Sequence, residues 1–309
     1  MDCVGIDVSK ATLSCAYRSQ VKVFPNTGEG HRGLKDWAGE AGTWCMEATG
    51  RYHGELADFG FRLGIRCLVV NPGRAKQYLG FVDSRAKTDK VDALALERLG
   101  SKEGEHLRAY RPVAEPVARA RDVLVRRRAL VEAKVSLTNV ATAAGDPAGQ
   151  IGRTIDQIKK SLVELEKELR MLLKEYPAYE QLMSIPGIGP MSAAILVCTL
   201  ERGEFATSDS LVAFAGLDPR ARDSGKHRGK RTLSHQGDAQ LRTILYMAAR
   251  AGARLPLWKP YYVKQLEKGF STTEATVILA RKLLRVAWSV NRQKSPFIQK
   301  NGPTLDIPT

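Results

Sequence analysis

From Cys3 to Val8 the chain alternates strictly, with Val4, Ile6 and Val8 on one side and Cys3, Gly5 and Asp7 on the other. A period of two is satisfied by an extended strand and by no helix. Thr12–Tyr17 and Val21–Phe24 read as two further short strands, closed by Pro25-Asn-Thr-Gly28. A helical pattern with Leu34, Trp37 and Ala38 follows, then a strand running into Glu47, a helix over Tyr52–Phe61 and an apolar strand over Ile65–Val70. An antiparallel start followed by strand–helix alternation predicts an α/β unit, a mixed sheet with helices on its faces, as in the RNase H-like arrangement.

Acidic residues stand where such a sheet would present them. Asp7 ends the first strand, and Glu47 ends the run Thr43-Trp-Cys-Met. Asp89 and Asp92 fall three apart in Thr88-Asp-Lys-Val-Asp-Ala93, which puts them on one face of a helix capped by Thr88. Val91, Leu94, Ala95 and Leu99 are its expected inward residues, leaving both aspartates off that face. Carboxylates gathered from strand ends and a helix would repel one another unless a cation compensates. The four therefore predict a Mg²⁺ site suited to phosphodiester chemistry. Read singly, Asp7 is a turn cap, and Asp89 and Asp92 complement a helix dipole. The strand opening Gly5-Ile-Asp7 also occurs in actin-like ATPases, but here Lys10 and Ala11 replace the glycine-rich hairpin those proteins need to cradle phosphate.

With a formal net charge of +15 over 309 residues, the chain is matched to a polyanion, since each neutralised phosphate releases condensed counterions. The five cysteines form no C-x-x-C pair, which excludes a zinc knuckle and suits a reducing cytosol. No signal sequence is expected, and the apolar run Met191–Leu200 is too short to span a bilayer. The expected setting is the cytoplasm, at the nucleoid.

The rest of the chain reads as helical. Val117–Leu137 is arginine-laden and ends at Gly145-Asp-Pro147. Ile151, Ile155, Ile158, Leu162, Leu165, Leu169, Leu172 and Tyr176 then form a heptad seam. That stripe must meet another helix, either by folding back on the arginine-rich one or by pairing between subunits. Ser184-Ile-Pro-Gly-Ile-Gly189, followed by Pro190-Met-Ser-Ala-Ala, reads as a helix-hairpin-helix whose Gly187 and Gly189 let the backbone approach a phosphate. The most basic stretch runs from Pro219 to Arg231 and holds Arg220, Arg222, Lys226, Arg228, Lys230 and Arg231 against the single acid Asp223. Such a loop binds phosphate. Ser224 at its centre is either a turn former or, surrounded by cations, a nucleophile toward phosphorus. Arg242 lies on the helix that follows. Lys10 and Lys87, beside the acids, join the basic residues as expected nucleic-acid contacts. His227 and His235 are solvated surface residues or proton shuttles. The tail 299–309 is expected to be disordered.

In this order, Gly5-Ile-Asp7-Val-Ser, Met46-Glu47-Ala-Thr-Gly50, Asn71-Pro72, Lys87-Thr-Asp89-Lys-Val-Asp92-Ala, Ile185-Pro-Gly-Ile-Gly189, Phe214-Ala-Gly-Leu217, Ser224-Gly225 and Leu241-Arg-Thr-Ile-Leu-Tyr246 resemble the DEDD-type insertion-sequence transposases, the insertion-sequence-110 family that also contains the Piv DNA invertase. The resemblance covers nearly the whole chain. It implies a RuvC-like catalytic domain over 1–112, a helical, coiled-coil region over 113–178 and a helical transposase domain over 179–298. It implies Mg²⁺ on Asp7, Glu47, Asp89 and Asp92, and a covalent phosphoserine link to DNA at Ser224. Dimers pairing into tetramers, with the acids of one subunit serving the serine of another, and a structured bridge RNA that selects target and donor DNA, are also implied. His235 departs from the pattern, standing where relatives often carry lysine. The main alternative is a RuvC-like Holliday-junction nuclease using metal-activated water, which would not need Ser224. A non-catalytic nucleic-acid binder would not need Asp7.

Overall fold

The structure, a computed structural model, describes residues 2–48, 50, 52–71, 89–146, 148–202, 205–220, 232–234 and 237–299, with backbone alone at 89, 90, 220 and 232. The chain divides into two compact units, Met1–Pro112 and Val113–Thr309.

The first unit is built on a five-stranded mixed sheet in the order β3-β2-β1-β4-β5. Strands β1 (Cys3–Val8), β2 (Thr12–Tyr17) and β3 (Gln20–Pro25) form an antiparallel meander. Strands β4 (Thr43–Glu47) and β5 (Arg66–Val70) continue the sheet in parallel with β1. This is the mixed sheet the alternation predicts, and it is consistent with an RNase H-like domain. Arg18 and Ser19 make the β2–β3 hairpin turn with φ of 49° and 65°, a conformation that non-glycine residues seldom adopt. The turn is held from outside: the Arg18 amide donates to Glu97 Oε1 at 2.6 Å.

Helices α1 (Gly28–Ala38) and α2 (Gly54–Arg62) cover one face. There Val4, Ile6, Leu13, Leu34, Trp44 and Met46 share one core. Helix α3 (Asp89–Glu103) covers the other face, over Cys3, Cys45, Leu68 and Val70. A sheet apolar on both faces must be covered on both.

Helix α3 sits unusually close to its strand. A Cβ on Gly5 would strike the Ala93 carbonyl and the Glu97 amide, and would lie 2.8 Å from Glu97 Cα. One on Gly100 would strike Cys3 Sγ and lie 2.7 Å from Cys45 Cβ. At Gly5 backbone therefore rests on backbone, and the buried residues of α3 are Ala93, Ala95, Leu96, Leu99 and Gly100. The expected inward set was partly different: Ala95 and Leu99 are buried, but Val91 and Leu94 are only partly so. The reason is that the closest contacts of the helix with the sheet are made at Ala93 and Gly100, with Leu96 and Leu99 packing beside them.

In the second unit, α4 (Glu115–Ala144) and α5 (Gln150–Leu173) pack along each other. Of the two partners left open for the heptad seam, α4 is the one it meets within the chain. Exposed pairs Arg126–Glu168, at 2.9 Å, and Arg127–Glu166, at 3.0 Å, cross between the helices. Helices α6 (Pro177–Met183), α7 (Pro190–Leu200), α8 (Ser208–Phe214), α9 (Ala239–Gly252), α10 (Lys259–Glu267) and α11 (Thr272–Gln293) complete eleven among the described residues. Helix α7 is apolar all round and buried from Ser192 to Leu200, as a central core helix must be. Among the described residues no helix is long and apolar enough to cross a membrane. All five cysteines are free and buried.

Gly5→Ala is expected to destabilise the protein by about 3 kcal/mol or to displace α3, because the added methyl meets fixed backbone. Gly42→Ala, where a Cβ meets nothing within 4 Å, should change stability by less than about 0.5 kcal/mol. Urea unfolding of both variants checks the pair.

Candidate functional site

Two carboxylates of the first unit fall at the same end of neighbouring central strands for a reason visible in the strand register. The parallel pairing of β1 with β4 runs Cys3–Thr43, Val4–Trp44, Gly5–Cys45 and Ile6–Met46. Carried one residue further, it sets Asp7 beside Glu47, and Glu47 in turn pairs with Val70. Asp7 shares the face of Cys3 and Gly5, the face that α3 covers. Helix α3 runs so that Gly100 lies over Cys3, and Ala93 and Glu97 lie over Gly5. The next turn back holds Asp89 and Asp92. Asp92 is four residues along the helix from Leu96 and seven from Leu99, both packed against the sheet. It lies on the sheet side of the helix, correcting the expectation that it points off the inward face. Asp7, Glu47 and Asp92 are all partly buried.

Oxygen-only donors of this kind suit a hard divalent cation such as Mg²⁺. The chemistry of the set fits that ion. Among the described residues, however, no three His, Cys, Asp or Glu side chains gather closely enough to hold a metal. The side chain of Asp89, fourth of the expected set, is outside the described residues, as is all of Lys87. Lys10 is exposed in the β1–β2 turn, which Ser9 and Thr12 close: the Thr12 amide donates to Ser9 Oγ at 2.9 Å.

Two residues that the sequence reading passed over brace this end of the sheet. Asn26 Nδ2 donates to the Ser9 carbonyl at 2.9 Å and to the Tyr52 carbonyl at 3.1 Å. It thereby ties the segment after Asp7 to the segment after Glu47. With its amide nitrogen spent, Asn26 Oδ1 must accept, so His31 Nε2 carries the proton in their 2.9 Å contact. His31 is buried and packs against Phe59. Its burial pulls its pKa below the ordinary value of 6.5, with Glu55 opposing. The only sequence signal was an asparagine in a turn, which its role as a turn former already explained.

In the second unit, the Ser184–Gly189 turn joins α6 to α7. Gly187 has φ +95°, and a Cβ there would lie 3.2 Å from Gly252 Cα. This glycine serves the seating of α9 against the turn. Gly189 is different: it precedes α7 and a Cβ on it would meet nothing within 4 Å, so that side of the turn is open.

The basic loop rises from a short, heavily braced root. Strands β6 (Pro219–Arg220) and β7 (Thr232–Leu233) pair Pro219 with Leu233 and Arg220 with Thr232. Below them the Ser234 amide donates to the Asp218 carbonyl at 3.0 Å, and the Ser234 hydroxyl donates to the Asp218 carboxylate. A Cβ on Gly237 would strike the Phe214 carbonyl and lie 2.7 Å from the Gly216 amide. Arg242 Nη1 donates to the Ala215 carbonyl at 3.1 Å, so it braces the same segment. Asp238 caps α9 by accepting from the Gln240 and Leu241 amides at 2.9 and 3.1 Å. Ser224, Arg222, Lys226, His227, Arg228, Lys230, Arg231 and His235 lie outside the described residues, as does the side chain of Arg220.

Comparison with known proteins gives two family matches. A DEDD-type model of the IS110 group, described as "Transposase", matches residues 4–144. A second, described as "Transposase IS116/IS110/IS902 family", matches residues 179–263. The pilin gene-inverting protein of Moraxella bovis is 27% identical over 95% of this chain and 97% of its own length. The transposase for insertion sequence element IS1328 of Yersinia enterocolitica is 34% identical over 45% of this chain and 43% of its own. A probable family 20 transposase of Pseudomonas aeruginosa is 26% identical over 80% of this chain and 82% of its own.

The depressed His31 pKa has a consequence for stability. Above pH 6.5 the ring is neutral folded or unfolded; below it the unfolded chain takes up a proton that the folded chain resists. Stability is expected to fall as pH drops below that value, until the folded-state pKa is reached. His31→Gln keeps a donor for Asn26 but removes the titration. Urea melts at about pH 7.5 and about pH 5.5 should show a smaller loss for His31→Gln than for the parent.

Proposed function

The chain belongs to the IS116/IS110/IS902 family of insertion-sequence transposases, and from that premise we propose that it cuts and rejoins DNA through a covalent link to Ser224, with Mg²⁺ held by Asp7, Glu47, Asp89 and Asp92. The observation that supports this reading is that Asp7 and Glu47 fall side by side near the ends of adjacent central strands, on the side toward the first turns of α3.

In the proposed reaction the Ser224 hydroxyl attacks a scissile phosphorus. The Oγ–P bond forms, the bond from phosphorus to one deoxyribose oxygen breaks, and that oxygen leaves with a proton while the serine proton is lost. A hydroxyl from another strand then attacks the phosphoserine, restoring serine and resealing the backbone. The phosphodiester energy is conserved in the covalent link, so no nucleotide cofactor is consumed. The bound cation would supply charge compensation at the phosphorane oxygens. The basic residues around Ser224 favour its alkoxide and orient the phosphate. Asn26 and His31 keep the segments after Asp7 and Glu47 together.

The finer parts of the proposal come from the family resemblance: a bridge RNA choosing the DNA partners, assembly of dimers into tetramers, coiled-coil pairing of α5, and helix-hairpin-helix contact with phosphate at the open side of Gly189. The net charge of +15 suits two kinds of nucleic acid at once.

Incubating the protein with guide RNA, labelled element-end DNA and Mg²⁺, followed by denaturing electrophoresis, tests the mechanism. A DNA-linked protein band is expected, absent in Ser224→Ala. Asp7→Asn should lower cleavage on the order of 10²–10³-fold, the size of a lost transition-state electrostatic contact, while still folding. A band that survives Ser224→Ala refutes the nucleophile. Cleavage by Ser224→Ala without any covalent band would instead identify a RuvC-like nuclease using water.

A further inference from the structure

Two stretches of chain far away in sequence meet at the turn between α6 and α7. Gly187 lies against the end of α9, where a Cβ on it would come within 3.2 Å of Gly252 Cα. The Trp258 indole donates to the Pro186 carbonyl at 2.7 Å and so fixes the segment leading into α10. Beyond α11 the chain turns at Lys294, which has φ +50°, and passes back over the start of the turn. There Gln181 Nε2 donates to the Lys294 carbonyl at 2.9 Å, and the Phe297 amide donates to Ser184 Oγ at 2.7 Å. The Phe297 ring closes on Trp258, with centroids 6.2 Å apart. Ile185 and Ile188 anchor the turn itself in the core.

The charge on these stretches is one-sided. Residues 184–189, 252–259 and 294–299 contain Arg254, Lys259 and Lys294 and no acid; the acid nearest in sequence is Glu180 on α6. All three cations are exposed. Each is tied to the turn through its own backbone: Arg254 stands two residues past Gly252, Lys259 adjoins Trp258, and Lys294 accepts from Gln181. Beside them, no side chain caps α7. Its first intrahelical bond is Ala193 to the Gly189 carbonyl, at 2.9 Å, so the Met191 and Ser192 amides have no partner within the helix. Helix amides and cations drawn from separate segments match an extended polyanion better than a single small anion. We propose that the α6–α7 turn, Arg254, Lys259 and Lys294 form one docking surface for the backbone of duplex DNA. The amides at the start of α7 take one phosphate and the three side chains take phosphates around it. This rests on the DNA-acting reading given above and adds three contacts outside the helix-hairpin-helix turn. Because only phosphates are touched, the surface is indifferent to base sequence. The packing of Gly187, Trp258 and Phe297 sets the segments in place beforehand, which reduces the ordering that binding would otherwise cost.

The test titrates a fluorescent mixed-sequence DNA duplex with the full-length protein over a range of salt, with thermal melting as the check on folding. Arg254→Gln, Lys259→Gln and Lys294→Gln are each expected to shrink the slope of log K against log salt by about 0.9, one phosphate contact apiece. The triple variant should lose about 2.7 of slope and on the order of tenfold or more in affinity. All four should melt with the parent, because only exposed side chains are changed. A charge-matched control combines Arg153→Gln, Lys159→Gln and Lys160→Gln, all exposed in the first half of α5. It should cost less than half as much slope. An equal loss in the control would overturn the proposal by showing an effect of net charge alone. Unchanged slopes in the three single variants would overturn it too, as would a loss seen with duplex RNA and not with duplex DNA. Equal binding by parent and triple variant sinks this surface alone, whereas no binding by the parent sinks the DNA-acting reading with it.

Discussion

The contact between the Gly5 backbone and the backbone of α3 is the constraint from which the first unit takes its shape. With no side chain between them, helix and strand lie closer than an ordinary apolar layer allows. The acidic first turns of the helix are thereby brought over the strand ends. A bulkier residue at position 5 would lift α3 from the sheet. Little apolar surface is available between glycine and alanine. The compensating burial lies on the opposite face, where Trp44, Leu13, Leu34 and Leu56 are fully enclosed. One face thus supplies stability and the other supplies position.

The second unit repeats this device at the root of the basic loop. Gly237 lies directly on the Phe214–Gly216 backbone, and Gly187 on Gly252. Around these contacts Asp218, Ser234, Asp238 and Arg242 satisfy one another or the local backbone. A loop carrying six like charges repels itself, so its ends must be fixed by forces independent of that charge. The hydrogen bonds at Asp218 and Ser234 and the close packing of Gly237 meet that need.

Much of this was legible in the sequence. The first strand follows from period-two alternation, the other four from short apolar runs between turn signals, and the mixed sheet from their order. Asp7 and Glu47 could be recognised as strand-end acids. The inward face of α3 could not be read as easily, since amphipathic patterns weigh leucine and valine, whereas Ala93 and Gly100 make the contact. Asn26 and His31 carried no pattern at all: their value lies in hydrogen bonds to Ser9 and Tyr52, set by tertiary placement. Arg242 looked like a spare cation, but one of its nitrogens is used on Ala215.

The burial of every sulfhydryl gives the molecule a chemical property of practical use. Cys45 and Cys67 are pushed up to about 12 and Cys198 to about 11, and Cys3 and Cys15 are raised as well, each chiefly by removal from water. Thiolate is the reactive form, so burial and the raised pKa values together disfavour attack by maleimides and mild oxidants. A single cysteine introduced on the exposed flank of α4 or α5 would therefore be the favoured labelling point of the folded protein.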